Sequence, residues 1–143
     1  MILKGKWLTL TGLIMFYLSK MTKLGLSKKN ILIKPSVLDL VFSSGQKESY
    51  PPFSLYYIKD ETLADFRVAF SVGKKTHRLA VARNKIKRLM REALRLNIRS
   101  VNNKELLMLN MVFVYYGSHI PDYVEVETSV KSLLVYLSKN LTS

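Results

Sequence analysis

"KKTHRLAVARNKIKRLMREALR" runs from Lys74 to Arg95, and nine of its 22 residues are Lys or Arg. Between those cations the stretch keeps returning to Ala, Leu, Ile and Met. At about 100° per residue, Ala82, Ile86, Leu89, Met90, Ala93, Leu94 and Leu96 gather in one arc. Asn84, Lys85, Lys87, Arg88, Arg91, Glu92 and Arg95 collect in the opposite arc, with Arg83 at its border. The spacing predicts a helix from about Ala80 to Asn97, docked on a sheet by its apolar stripe and carrying a rigid row of cations on the other side.

Such a row works against itself, since like charges one turn apart cost roughly 0.2–0.5 kcal/mol per pair. Glu92 is the acid placed to offset this, chiefly against Arg88 and Arg95. An ordinary solvated helix face mixes Glu with Lys, and this one does not, so it reads as a binding surface. Phosphate is the matching chemistry: guanidinium forks meet phosphate oxygens in pairs of hydrogen bonds, and each neutralised phosphate releases condensed counterions. Asn84 has two readings, as a neutral contact to base edges or ribose hydroxyls and as a partner for backbone groups at the helix start.

The whole chain supports the same direction. Its 143 residues fit one domain with a real core, at 48% hydrophobic content. Its formal net charge is +13, and the segment Lys74 to Arg99 holds ten cations and one acid, so +9 of that excess sits in one place. A polyanionic partner follows, nucleic acid before an anionic membrane surface. Without cysteine there is no thiolate nucleophile, disulfide framework or Cys-type zinc site. The absence of disulfides suits a cytoplasmic protein.

At the N-terminus, Trp7 to Leu18 is an apolar run of 12 residues, short of the roughly 20 that a spanning helix needs. It resembles part of a secretory signal, but "SKMTKLG" follows where small residues would mark a cleavage site. Residues 1–20 are therefore expected to be an upstream extension outside the fold, with Met21 as the start and residues 21–143 as one domain.

Outward from the basic segment, Met21 to Lys34 reads as an extended basic arm. Pro35 opens a short amphipathic helix with Val37, Leu38, Val41 and Phe42 at helical spacing and Gly45 as its stop. After a loop with Pro51 and Pro52, "FSLYYIK" and "FRVAFSVG" read as two strands paired antiparallel. Phe66, Val68, Phe70 and Val72 alternate with Arg67, Ala69 and Ser71, which gives one buried face and one partly wet face. "LLMLNMVFVYYG" reads as a further strand. A terminal helix after Pro121 places Val126, Val130, Leu133, Leu134 and Leu137 on one side. The order helix, strands, helix, strand, helix indicates an α+β layer with helices on one face of a small, mostly antiparallel sheet.

The stretch "GKKTHRLAVARNKIKRLMREALRLN" resembles the signature of the bacterial ribonuclease P protein subunit family. There a Lys-Lys pair ends a strand, an Ala-Val-x-Arg-Asn-Arg run follows, and Lys-Arg-x-x-Arg-Glu completes the helix. Here these fall on Lys74 and Lys75, on Ala80 through Lys85, and on Lys87, Arg88, Arg91 and Glu92. A weaker likeness extends from about Leu26 to Leu137. Lys85 replaces the usual second Arg of the Arg-Asn-Arg run, keeping the charge and losing the planar fork. "THRL" stands where a Val-Gly-Lys stretch is frequent, and Leu38 where the leading helix often has Phe, whereas Phe42 is retained.

The resemblance implies a small α/β sandwich with a left-handed β-α-β crossover, against the general right-handed preference. It implies that Lys74, Lys75, Arg78, Arg83, Asn84, Lys85, Lys87, Arg88, Arg91 and Arg95 face the family's catalytic RNA. It further implies that a cleft between the sheet and the leading helix takes the single-stranded 5′ leader of precursor tRNA, with Phe42, Tyr56, Phe66 and Phe70 as aromatic candidates for stacking. Mg2+ would belong to the ribonucleoprotein complex, with no cofactor bound by the protein alone and no membrane partner.

An autonomous active site is not expected. The acids are scattered, Glu125 and Glu127 point apart on a helix, and His77 and His119 stand alone in sequence, with His77 read as a supplement to the basic patch. The rival reading is a structural RNA-binding protein of ribosomal type, which grips folded RNA and processes nothing. A membrane-surface protein using the apolar run and the basic helix is the other. On the helix assignment, Arg83→Ala or Arg88→Ala is expected to weaken RNA affinity and to lower the salt dependence of binding by about one phosphate contact, read from affinities across a salt series.

Overall fold

The computed structural model describes residues 28–31, 33–101 and 104–142. Residues 1–20, and most of the expected arm, lie outside these. Among the described residues three α-helices, α1 (Pro35–Ser44), α2 (Ala80–Asn97) and α3 (Tyr123–Thr142), accompany four strands, β1 (Gln46–Tyr50), β2 (Phe53–Lys59), β3 (Arg67–Val72) and β4 (Leu109–Tyr115). The sheet order is β1-β2-β4-β3. β2 is antiparallel to both β1 and β4, while β3 is parallel to β4. The chain therefore passes from β3 through α2 to β4, a β-α-β unit in an otherwise antiparallel sheet.

This corrects the expected pairing of "FSLYYIK" with "FRVAFSVG": β4 lies between them, and the partner of β2 on its other side is β1. β1 is the polar sequence QKESY, exposed at four of its five positions, so it has no buried face to write an apolar alternation. Pro51 and Pro52, joined by a cis peptide bond, form the two-residue turn between Tyr50 and Phe53.

The core lies between the sheet and the pair α2 and α3. Alternate strand residues Phe53, Leu55, Tyr57, Val68, Val72, Leu109, Met111, Phe113 and Tyr115 meet Ile86, Met90, Ala93 and Leu94 from α2 and Val126, Val130, Leu133, Leu134 and Leu137 from α3. Each fully buried Ile, Leu or Met contributes about 1.5–3 kcal/mol, so the anchoring of α2 outweighs the repulsion along its cationic face. Leu89 is half-buried, but Leu96 is 47% exposed, contrary to the expected stripe. Asn97, one residue on, takes the inward place instead. Its amide donates to the Ala93 carbonyl at 2.6 Å and to the Glu127 carboxylate at 3.3 Å.

α1 packs on the opposite face of the sheet, against β2 and β4, so helices cover both faces and not one. Val41 and Val112, on the two sides of this second contact, are both fully buried. Gly45 ends α1 where the backbone has no room for a side chain: a Cβ there would lie 2.4 Å from the Val41 carbonyl oxygen and 2.7 Å from that of Tyr57. Before α1, Lys28–Ile31 forms a 3-10 turn and not an extended arm. It is pinned by Asn30, 1% exposed, whose amide donates to the Phe66 carbonyl at 2.7 Å.

Glu127 joins α2 to α3 by accepting from Asn97 and, at 3.0 Å, from the Tyr123 hydroxyl. These hydrogen bonds, Asn97's foremost, hold the Glu127 carboxyl below the ordinary 4.5, while burial and that carboxylate push the Tyr123 hydroxyl up to about 12. A depressed carboxyl contributes stability above its unfolded pKa and loses it as pH falls through the folded one. Glu127→Gln is accordingly expected to lower the thermal midpoint modestly at pH 7. That difference should shrink as the pH falls below the ordinary carboxyl range in a series of melts, because Glu127 is then protonated in both the folded and the unfolded chain.

Candidate nucleic-acid interface

α2 carries its cations as the spacing requires. Asn84, Lys85, Arg88 and Arg91 are exposed, and Lys87 and Arg95 are half-buried along their stems. Lys74, Lys75 and Arg78, in the loop that leads from β3 into α2, are exposed as well. Among the described residues, Lys74, Lys75, Arg78, Lys85, Lys87, Arg88 and Arg91 take part in none of the ion pairs. Glu92 pairs with Arg95 and leaves the rest of the row unneutralised. The result is a continuous basic ridge on a rigid, core-anchored helix. α2 starts after Leu79 without a side-chain cap, so Asn84, exposed in the second turn, does not serve the helix start.

Arg83 differs from its neighbours. One terminal guanidinium nitrogen donates to two backbone carbonyls, of His77 at 2.8 Å and of Arg78 at 2.7 Å. It ties the cationic loop back onto the first turn of α2, a task beyond the single phosphate contact expected of it. His77 was read as part of the basic patch, but it is 7% exposed and hydrogen-bonds the Gly117 carbonyl through Nε2 at 2.9 Å. Its own N–H bonds the Gly73 carbonyl at 3.1 Å. Nor do the histidines stand alone: the Tyr115 ring lies between them, 5.9 Å from His77 and 6.1 Å from His119. The Tyr115 hydroxyl donates to the His119 carbonyl at 2.7 Å, and burial raises its pKa. His119 in turn meets Glu125 at 2.9 Å. The group braces the loops that follow β3 and β4.

The second sheet face presents Ser54 and Tyr56 from β2, Val112 and Val114 from β4, Ala69 and Ser71 from β3, and Lys47 and Ser49 from β1. α1 covers part of this face and leaves Tyr56, Ala69, Ser71 and Val114 half-buried on it. Phe42, 46% exposed on α1, meets the Tyr56 ring edge-on at 4.9 Å between centroids, and Lys47 Nζ lies 5.5 Å over the same ring. Two of the four aromatic candidates are thus brought together.

The other two are not. Phe66, 1% exposed, belongs to the core, with the Arg99 guanidinium 5.2 Å over its ring. Phe70 shares the helix-covered face with Val68 and Val72 and stacks on the fully buried Phe113 at 6.1 Å. Residues that alternate along a strand take opposite faces, so neither Phe66 nor Phe70 can reach the side of the sheet that carries Tyr56. The β3 residues on that side are Ala69 and Ser71, both small and half-buried. Lys47 was missed with β1. The polar run QKESY gave no sign that Lys47 would lie beside Tyr56, because that pairing is made across the hairpin.

Fold and site define a class: a small α+β protein with a basic helix in a β-α-β unit and, on the other sheet face, an aromatic pair beside a lysine. A family model described as Ribonuclease P matches residues 26–138. The ribonuclease P protein component of Porphyromonas gingivalis is 32% identical over 124 residues, 83% of this chain and 90% of that protein. That of Lactobacillus johnsonii is 44% identical over 54 residues, 38% of this chain and 44% of that protein. The solved RNase P protein of Staphylococcus aureus aligns with a TM-score of 0.63 at 21% identity, over 76% of this chain and 94% of its own. That of Thermotoga maritima aligns at 0.61 with 24% identity, over 73% and 94%. The chain belongs to the ribonuclease P protein component family, and is an RNA-associated subunit of an RNA-processing endonuclease.

The position of Arg83 yields a test. Lysine keeps the charge but lacks the fork, so Arg83→Lys should loosen the loop, at a cost of about 1–3 kcal/mol locally for charged hydrogen bonds of this kind. Faster amide hydrogen exchange at His77, with the exchange of α2 at Met90 unchanged, is the expected result.

Proposed function

We propose that the chain lays the α2 ridge, with Lys74, Lys75 and Arg78, against the catalytic RNA of ribonuclease P and takes the single-stranded 5′ leader of precursor tRNA into the α1 cleft. It thereby assists endonucleolytic removal of the leader. The observation that carries this reading is the basic ridge: seven cations outside the ion pairs among the described residues, Lys85, Lys87, Arg88 and Arg91 on a helix whose other side is buried and Lys74, Lys75 and Arg78 in the loop that leads into it. Each cation that meets a phosphate releases counterions, and Arg88 and Arg91 add forked hydrogen bonds. In the cleft, Phe42 and Tyr56 offer edges and faces to unpaired bases while Lys47 neutralises backbone charge.

The chemistry belongs to the RNA and its magnesium. The protein acts by electrostatics, reducing the repulsion between two folded RNAs and holding the leader in place. Among the described residues no three His, Asp or Glu side chains converge into a metal site. No helix there is long and apolar enough to cross a membrane. We place the protein with its RNA partners in the cytoplasm.

Reconstitution of the full chain with the ribonuclease P RNA of the same cell tests the proposal. The chain should stimulate cleavage of precursor tRNA at low magnesium; binding without stimulation would favour the structural RNA-binding reading. Phe42→Ala should weaken leader-bearing substrate by about five- to tenfold, as loss of one stacked base does, with affinity for the catalytic RNA alone unchanged.

A further inference from the structure

We propose that α3 and the outer strand β1 form a further RNA-contacting surface, a groove that takes a short single-stranded segment distinct from the one in the α1 cleft. The groove, of about 390 Å³, is lined by Tyr50, Lys131, Ser132, Val135, Tyr136 and Lys139. Tyr136 is 60% exposed, Val135 48% and Tyr50 40%. On α3, Lys131, Val135 and Lys139 follow one another at four-residue spacing, with Ser132 and Tyr136 in the adjoining row. The two lysines stand about 12 Å apart along the helix axis, a distance that a few nucleotides of extended strand cover. Tyr50 arrives from β1, an edge strand with β2 as its sheet neighbour, and pairs in register with core-facing Phe53 on the helix side of the sheet.

The chemistry of this lining selects its occupant. Among the described residues no carboxylate lines the groove. Glu48 accepts from Asn140 at 2.6 Å, and Glu127, one helical turn before Lys131 and within reach of its charge, accepts from Tyr123 and Asn97. Two accessible phenol rings between ammonium groups suit bases and phosphates together, the combination found where single strands are held without sequence readout. A second copy of the chain suits it poorly: a two-fold contact would set Lys131 and Lys139 against their own counterparts in a molecule of net charge +13. An acidic peptide would match the lysines and leave the rings without planar partners. Because α3 lies on the opposite side of the sheet from α1, a strand in this groove is a different stretch of RNA from one in the cleft.

The assignment rests on the chain's being an RNA-associated subunit, and not on the leader reading. The test uses the full chain with a short single-stranded oligoribonucleotide carrying 4-thiouridine. Irradiation should give crosslinks in the peptides containing Tyr50 or Tyr136 in addition to any at Phe42 and Tyr56. The double variant Lys131→Gln, Lys139→Gln should reduce the salt slope of binding by about 1.4, at about 0.7 for each phosphate released from a single strand. Tyr136→Ala should weaken binding about tenfold, and its high exposure keeps folding out of that result. Arg88→Ala, Arg91→Ala, which impairs the ridge, should leave the Tyr136 crosslink in place. Crosslinks confined to Phe42 and Tyr56, with the salt slope of the lysine variant unchanged, would overturn the proposal while leaving cleavage stimulation intact. An RNA-free dimer in sedimentation, dissolved by Tyr136→Ala, would overturn it in favour of a second copy.

Discussion

Burial of Ile86, Met90, Ala93 and Leu94 beneath α2 is the constraint from which the rest of the molecule follows. An isolated helix with this density of like charge would be weakened at every turn. The sheet removes four apolar side chains from water on one side, and that gain holds the cations in a fixed row on the other. Charge and grease are thus one device: the core sets the spacing of the ridge, and the ridge could not exist without the core. A disordered basic tail would offer the same charge, but would have to lose its conformational freedom on binding.

The parallel placement of β3 beside β4 extends that device. It brings the loops following both strands to one end of the sheet, where His77 reaches Gly117 and Arg83 closes the cationic loop onto α2. The loop cations Lys74, Lys75 and Arg78 are thereby held to the same frame as the helix. The β-α-β unit built around this segment lies within residues 26–138, the span that matches the family.

The two sheet faces divide the labour. One is given to packing, with aromatic rings at Phe53, Phe66, Phe113 and Tyr115 filling the space under α2 and α3. The other is only partly covered by α1 and keeps small or polar residues at Ser54, Ala69 and Ser71. Parity along β3 decides which aromatic residue serves which purpose. Aromatic character alone could not, and so Phe66 and Phe70 fall on the packing side while Phe42 and Tyr56 meet on the other.

Local periodicity was sufficient for α1, α2 and the stripe of α3 at Val126, Val130, Leu133, Leu134 and Leu137, because a helix with one buried face writes that face into its spacing. The charge segregation of the ridge was equally plain, since it is a property of composition along one helix. What the sequence could not contain was the neighbour of each strand. β4 is buried on both faces and reads the same beside β1 as beside β3, and the polar edge strand β1 has too little burial to leave a pattern. The inward turn of His77 and the double duty of Arg83 likewise depend on contacts 40 and six residues away. Spacing along the chain determined which residues share a face; only the closing of the sheet decided what each face would meet.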